Sequence, residues 1–191
     1  AGNSDLLVNN LVYTQPKALS LATNRTYTRQ YFQRDNYAGD RSSTAICDWN
    51  TGTSYINVAN SYLTFTVTCQ GTSNPGATWG TGSAMNVINE IRIRSRSGTE
   101  LDRLQLANLW SKYDTLYSKP KGNITTFGSA QGFGDIVGIP KATSQIISTS
   151  ATRFALPLSV LSPFFRPMKK QLLPPQLASG LHIEIVFEDY R

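Results

Sequence analysis

From Tyr62 to Thr68 the chain reads YLTFTVT, and Leu63, Phe65 and Val67 alternate strictly with Thr64, Thr66 and Thr68. Successive side chains of an extended chain point to opposite faces, so a period of two builds a half-buried strand. An amphipathic helix needs a period near 3.6. The alternation returns at Ile91-Arg92-Ile93-Arg94, where Arg96 continues the polar face. It returns again at Phe154, Leu156 and Leu158, and from Leu181 to Phe187. Thr26 to Arg34 (TYTRQYFQR) is rich in Thr and aromatic residues, which predicts an early strand. Leu63, Phe65, Val67, Ile91, Ile93, Ile183 and Ile185 are the apolar members of these strands, and they are expected to share one core.

Between the strands the chemistry is that of turns. Gly71 to Gly82 (GTSNPGATWGTG) predicts a long exposed loop, and Trp79 within it is a candidate contact for a neighbouring subunit or ligand. Ser97-Gly98-Thr99 closes the Ile91 strand. Leu101 and Leu104, then Leu109, Tyr113, Leu116 and Tyr117, fall at three- and four-residue steps, which predicts one helix over about 100–117. Glu100 and Asp102 would suit the dipole at its start. Residues 118–143 carry glycine and proline throughout and read as loop with two or three short strands. The fold expected is all-β: an antiparallel jelly-roll sandwich of two sheets with one inserted helix and long loops, forming a single domain over 1–191.

The 191 residues are 40% hydrophobic, enough to fill one such core, and only 16% charged. The formal net charge is +6, without a basic block or Arg-rich tail that concentrates it. No apolar run reaches bilayer length, and the opening AGNSDLLVNN lacks the charged and apolar regions of a signal peptide. Cys47 and Cys69 belong to no CxxC pair and read as reduced, half-buried thiols, consistent with synthesis inside a cell.

Catalytic chemistry is sparsely supplied. The single histidine, His182, falls on the polar face of the last strand with Glu184 and Glu188, where a solvated role is expected. No catalytic, cofactor-binding or metal residues are assigned, and an enzyme is not expected. Gly128 to Gly134 (GSAQGFG) lacks the Lys-Ser ending of a phosphate-binding loop and reads as ordinary loop. Asn24-Arg25-Thr26 and Asn123-Ile124-Thr125 match the glycosylation sequon and read as accidental matches. Arg92, Arg94 and Arg96 are the candidate contact to nucleic acid or to another subunit, because side chains two apart on a strand repeat every ~6.6 Å on one face. The competing reading is an outer sheet face whose arginines pair with Asp or Glu. Tyr27, Tyr31, Phe164 and Phe165 are expected in a core or subunit seam.

The block NVINEIRIRSRSGTELDRLQLANLWSKYDTLY, Asn86 to Tyr117, resembles the major capsid proteins of the double jelly-roll lineage of eukaryotic DNA viruses. There a strand, a glycine turn and a hydrophobic-Asp-Arg step, here Leu101-Asp102-Arg103, lead into a helix with an aromatic centre, here Trp110 and Tyr113. RFALPLSVLSPFFRPMKKQLLPPQLASGLHIEIVFEDYR, from Arg153, is similar to the closing strands of one such jelly roll. The family fuses two jelly rolls, whereas this sequence holds residues for one. A single jelly-roll capsid protein and half of a larger polypeptide both remain open. The resemblance implies a structural coat protein that self-assembles in many copies into an icosahedral virus shell, located in the virion, with non-specific contact to packaged nucleic acid and no membrane span. The alternative is a viral spike or lectin-like β-sandwich that binds glycan or receptor. A β-sandwich hydrolase is the weakest reading, given one histidine and no nucleophile elbow.

Overall fold

The computed structural model describes residues 24–37, 43–68, 76–78, 83–118, 128, 130–132, 145–147, 151–170 and 172–189. Within them the strands are Thr44–Asp48 (β1), Ile56–Asn57 (β2), Tyr62–Val67 (β3), Gly76–Thr78 (β4), Ile88–Arg94 (β5), Glu100–Leu104 (β6), Gln145–Ile147 (β7), Thr152–Pro157 (β8), Leu172–Leu173 (β9) and His182–Phe187 (β10). Four of them form one sheet in the order β1-β10-β5-β6, and the others pair as β2 with β9, β3 with β8 and β4 with β7. Every pairing is antiparallel. The fold is mostly β, with few helices.

The pairings are nested. β1 meets β10, β2 meets β9, β3 meets β8 and β4 meets β7, so the strands before β5 pair in reverse order with the strands after β6. β5 then lies against the other side of β10 and turns at Ser95–Thr99 into β6.

Alternation explains where the core lies. Ile91 and Ile93 of β5 and Ile183 and Ile185 of β10 are buried, as their period of two requires, and they join Phe154 and Leu156 of β8 in one cluster with Met85, Leu161 and Phe165. Burying each of these side chains is worth about 1.5–3 kcal/mol relative to exposing it. Leu63, Phe65 and Val67 of β3 pack against the same cluster, but they are only half-buried.

The helix is shorter than the leucine spacing predicts. It runs Ala107–Ser118 (α1), and Glu100–Leu104 is a strand instead. The Ser97-Gly98 turn returns the chain beside β5, and ladder bonds from β5 outweigh a helical pattern only five residues long. Asp102 and Leu104 are half-buried on β6, while Leu101 and Arg103 are exposed. Leu106, a non-glycine residue at φ 52°, separates the strand from α1. Glu100 and Asp102 therefore do not sit at a helix start, and the first turn of α1 has no acidic residue.

Other expectations also change. Among the described residues Thr26 to Arg34 has no ladder partner and is irregular, tied to the sheet by the Gln33 N–H, which donates to the Ile46 carbonyl at 3.0 Å. The Gly71 to Gly82 stretch is interrupted by β4, and Trp79 lies outside the described residues, as do Cys69 and Asn123. Leu158 does not extend β8: Pro157 ends the strand and Leu158–Leu161 forms a helical turn. Pro163 and Pro175 each open a further short helical turn, where a missing N–H costs nothing. In the glycine run, Gly132 has φ +77° and is buried, and a Cβ there would sit 2.9 Å from Phe154 Cε1 and 3.0 Å from the Ala84 nitrogen. That glycine answers a packing need. Among the described residues no helix is long and apolar enough to cross a membrane.

Candidate functional site: a charged network on the four-stranded sheet

The polar members of the alternating strands meet on the face of the sheet turned away from the core. Register places Asp48, His182 and Arg94 in one row across β1, β10 and β5. Ile46, Glu184, Arg92 and Arg103 form the next row, across all four strands, and Thr44, Val186 and Glu90 the third.

Arg92 grips Glu90 with two hydrogen bonds, Nε to Oε1 at 2.7 Å and Nη2 to Oε2 at 3.2 Å. Arg103 Nε donates to the same Glu90 Oε1 at 2.6 Å. Arg94 Nη1 donates to Glu184 Oε1 at 2.8 Å, and Arg92 Nη1 lies 3.7 Å from the other Glu184 oxygen. His182 completes the chain, with Nδ1 2.5 Å from Asp48 Oδ1 and Nε2 3.2 Å from Glu184 Oε1. Glu184 is buried in the middle of the network, and its charge is tolerated because two guanidinium groups face it. The hydrogen bond from Arg92, then that from Arg103, holds the Glu90 carboxyl below the usual glutamate range, against the opposing effect of its partial burial. Glu90 in turn raises the Arg92 guanidinium, first through that bond.

This arrangement is a charge-balanced brace. Arg92, Arg94 and Arg103 face Glu90 and Glu184, while His182 lies between Asp48 and Glu184. The two carboxylates at His182 bind opposite ring nitrogens and share no common point, and among the described residues no group of His, Cys, Asp and Glu is placed to hold a metal ion. Cys47 points to the other side of β1 and is buried; burial first, then the Asp48 charge, pushes its thiol up, which makes it a poor nucleophile.

Of the three arginines singled out by spacing, Arg92 and Arg94 stand on β5 inside these ion pairs. Arg96 lies beyond the strand, in the exposed turn, and its Cβ, Cγ and Cδ lie 2.9, 3.0 and 3.1 Å from where a Cβ on Gly180 would stand. Glu90 and Arg103 were missed. Glu90 had a local signal, two residues before Arg92 on an alternating strand, whereas Arg103 was hidden by the helical reading of its segment.

The aromatic residues divide. Phe165 is buried and stacks on Trp49 at 5.7 Å, with Phe164 edge-on to it at 5.2 Å. Tyr27 and Tyr31 are exposed and fill no core. Tyr113 and Tyr117 stack on each other at 6.1 Å along α1, both exposed, and Leu106 and Leu109 beside them are exposed as well. Neither a protein-family model nor a curated protein sequence matches this chain.

Proposed function

We propose that the chain is a structural coat protein of the jelly-roll type, a subunit that self-assembles in many copies into an icosahedral virus shell around the genome. The observation that carries this reading is the nesting of β1 with β10, β2 with β9, β3 with β8 and β4 with β7. An antiparallel ribbon with this nested pairing, rolled up, gives the two facing sheets of a jelly roll. β1, β10 and β5 would belong to one sheet, and β3 and β8 to the other. The resemblance of Asn86 to Tyr117 and of the segment from Arg153 to double jelly-roll capsid proteins supports the same reading.

On this reading function lies in geometry. The charged network stiffens the outer face of one sheet, and the contacts that close the shell are apolar. Leu106, Leu109, Tyr113 and Tyr117 offer such a surface on and beside α1. The protein works in the virion and performs no catalysis.

Electron microscopy and sedimentation of the purified protein test this. Closed particles or regular capsomers are the expected result. A discrete monomer or trimer that binds glycans would replace the shell reading with a spike or lectin-like one, and turnover in a hydrolase screen, abolished by one point substitution, would replace it with an enzyme.

A further inference from the structure

We propose that residues 24–34 form an arm that binds single-stranded nucleic acid. The inference deepens the shell reading, on which it rests only for identifying that polymer as packaged genome.

Residues 24–31 are all exposed, and Tyr27 and Tyr31 keep 93% and 74% of their surface in solvent. The segment belongs to no strand. Its tethers are the Gln30 side-chain amide on the Asn50 carbonyl at 3.1 Å and Gln33 N–H on the Ile46 carbonyl at 3.0 Å, both near its end. Phe32 and Tyr37 pack on the core and anchor it there.

The arm's chemistry differs from that of the sheet. Asn24 to Arg34 reads NRTYTRQYFQR, with three arginines and no carboxylate. Every ion pair of the sheet network and of α1 goes to other cations, so among the described residues Arg25, Arg29 and Arg34 face no acidic partner. Arg25, Tyr27, Arg29 and Tyr31 are spaced by two, so an extended arm presents them on one side, alternating a cation and a ring every ~6.6 Å. Cations that track a phosphate backbone, interleaved with rings on which unpaired bases stack, are the chemistry of single-strand binding. A duplex hides its base faces from tyrosine, and a protein groove would have to supply carboxylates for three arginines. On β5, by contrast, Arg92 and Arg94 are held by Glu90 and Glu184.

The test is fluorescence anisotropy of a labelled oligothymidylate, titrated with the whole protein at several salt concentrations. Arg25→Ser, Arg29→Ser and Arg34→Ser together should reduce the magnitude of the log-log salt slope by about 2, at roughly 0.7 for each phosphate contact on a single strand. Tyr27→Ala with Tyr31→Ala should weaken binding at least tenfold at fixed salt while leaving the slope unchanged. Both variants should keep the wild-type unfolding midpoint, since the changed side chains are exposed. A duplex of equal length should bind more weakly and ignore the tyrosine change. Wild-type affinity and slope in both variants would overturn the proposal, as would equal binding of single strand and duplex. Loss of particles in arm variants that still bind the oligonucleotide normally would also overturn it, and would assign the arm to a neighbouring subunit. Arm-dependent binding by a protein that never forms particles would sink the shell reading and leave the arm standing.

Discussion

Asp102 on β6 accepts a hydrogen bond from the hydroxyl of Ser162, a residue with no exposed surface and sixty positions further along the chain. The same Asp102 oxygen accepts the Phe164 N–H at 3.2 Å, and Ser162 Oγ accepts it too, at 3.1 Å. One carboxylate thus ties the end of the β5–β6 hairpin to the helical turn Pro163–Phe165, whose Phe165 fills the core.

Ser162→Ala should therefore destabilise the fold by about 1–3 kcal/mol, because it removes a cap and leaves a half-buried carboxylate with one donor fewer. Urea denaturation measures this. Asp102→Ala should cost a similar amount, and the double variant should cost less than the sum of the two. Strict additivity would mean that the two residues act independently.

Phe65 and Phe154 lie opposite each other on β3 and β8, with ring centroids 6.1 Å apart. Alternation alone predicts equal roles for them, but Phe154 is 4% exposed whereas Phe65 is half-buried. Phe154→Ala should cost about 3–5 kcal/mol, and Phe65→Ala about half of that. Equal costs in a thermal or chemical melt would show that the two rings are equally buried in the folded protein.

The strands were legible because their signal is local: Ile91 and Ile93, or Ile183 and Ile185, announce a face without reference to any partner. Glu100 to Leu104 was illegible for the opposite reason. Leu101 and Leu104 satisfy a helical step, and Asp102 and Leu104 a strand step; the ladder to β5 and the Ser162 bond decide between them, and neither lies in the segment. Thr26 to Arg34 shows the same limit, since β propensity says nothing about whether an edge is available to pair with. In the charged network, Glu90 and Arg92 share a strand and could be matched by spacing. Glu184 and Arg103 reach it from β10 and β6, and only the fold brings them together.

Gly132→Ala should be among the most damaging small substitutions, at about 2–4 kcal/mol. It combines a left-handed backbone with a collision against Phe154 and the Ala84 backbone. Gly98→Ala is the control: its φ is +84°, but nothing lies within 4 Å of the added Cβ. Only the backbone cost of about 1–2 kcal/mol should remain there. If the two variants melt together, the close approach at Gly132 contributes nothing.

Arg94→Gln should destabilise the sheet by about 1–2 kcal/mol, since it withdraws the 2.8 Å donor from the buried Glu184, and Arg94 is itself partly in solvent. Adding Glu184→Gln should recover part of that loss, because the orphaned charge is removed with its partner. A double variant less stable than Arg94→Gln alone would show that Glu184 is held mainly by Arg92 and His182.

Glu90 gives the network a pH signature. Its carboxyl is held below the ordinary glutamate value by Arg92 and Arg103, so the unfolded chain takes up the proton more readily than the folded one. The stability this supplies is fully present above about pH 4.5, the ordinary value, and is lost as pH falls through the lower folded value. Glu90→Gln removes it at every pH. At neutral pH the variant should be less stable than the wild type by about 1 kcal/mol, a modest figure because Arg92 and Arg103 are partly in solvent. The two melting curves should converge as the solution is acidified below the ordinary glutamate range. A gap that stays constant or widens under acid would mean that Glu90 acts through shape alone, and that the arginines of this face are free to bind something else.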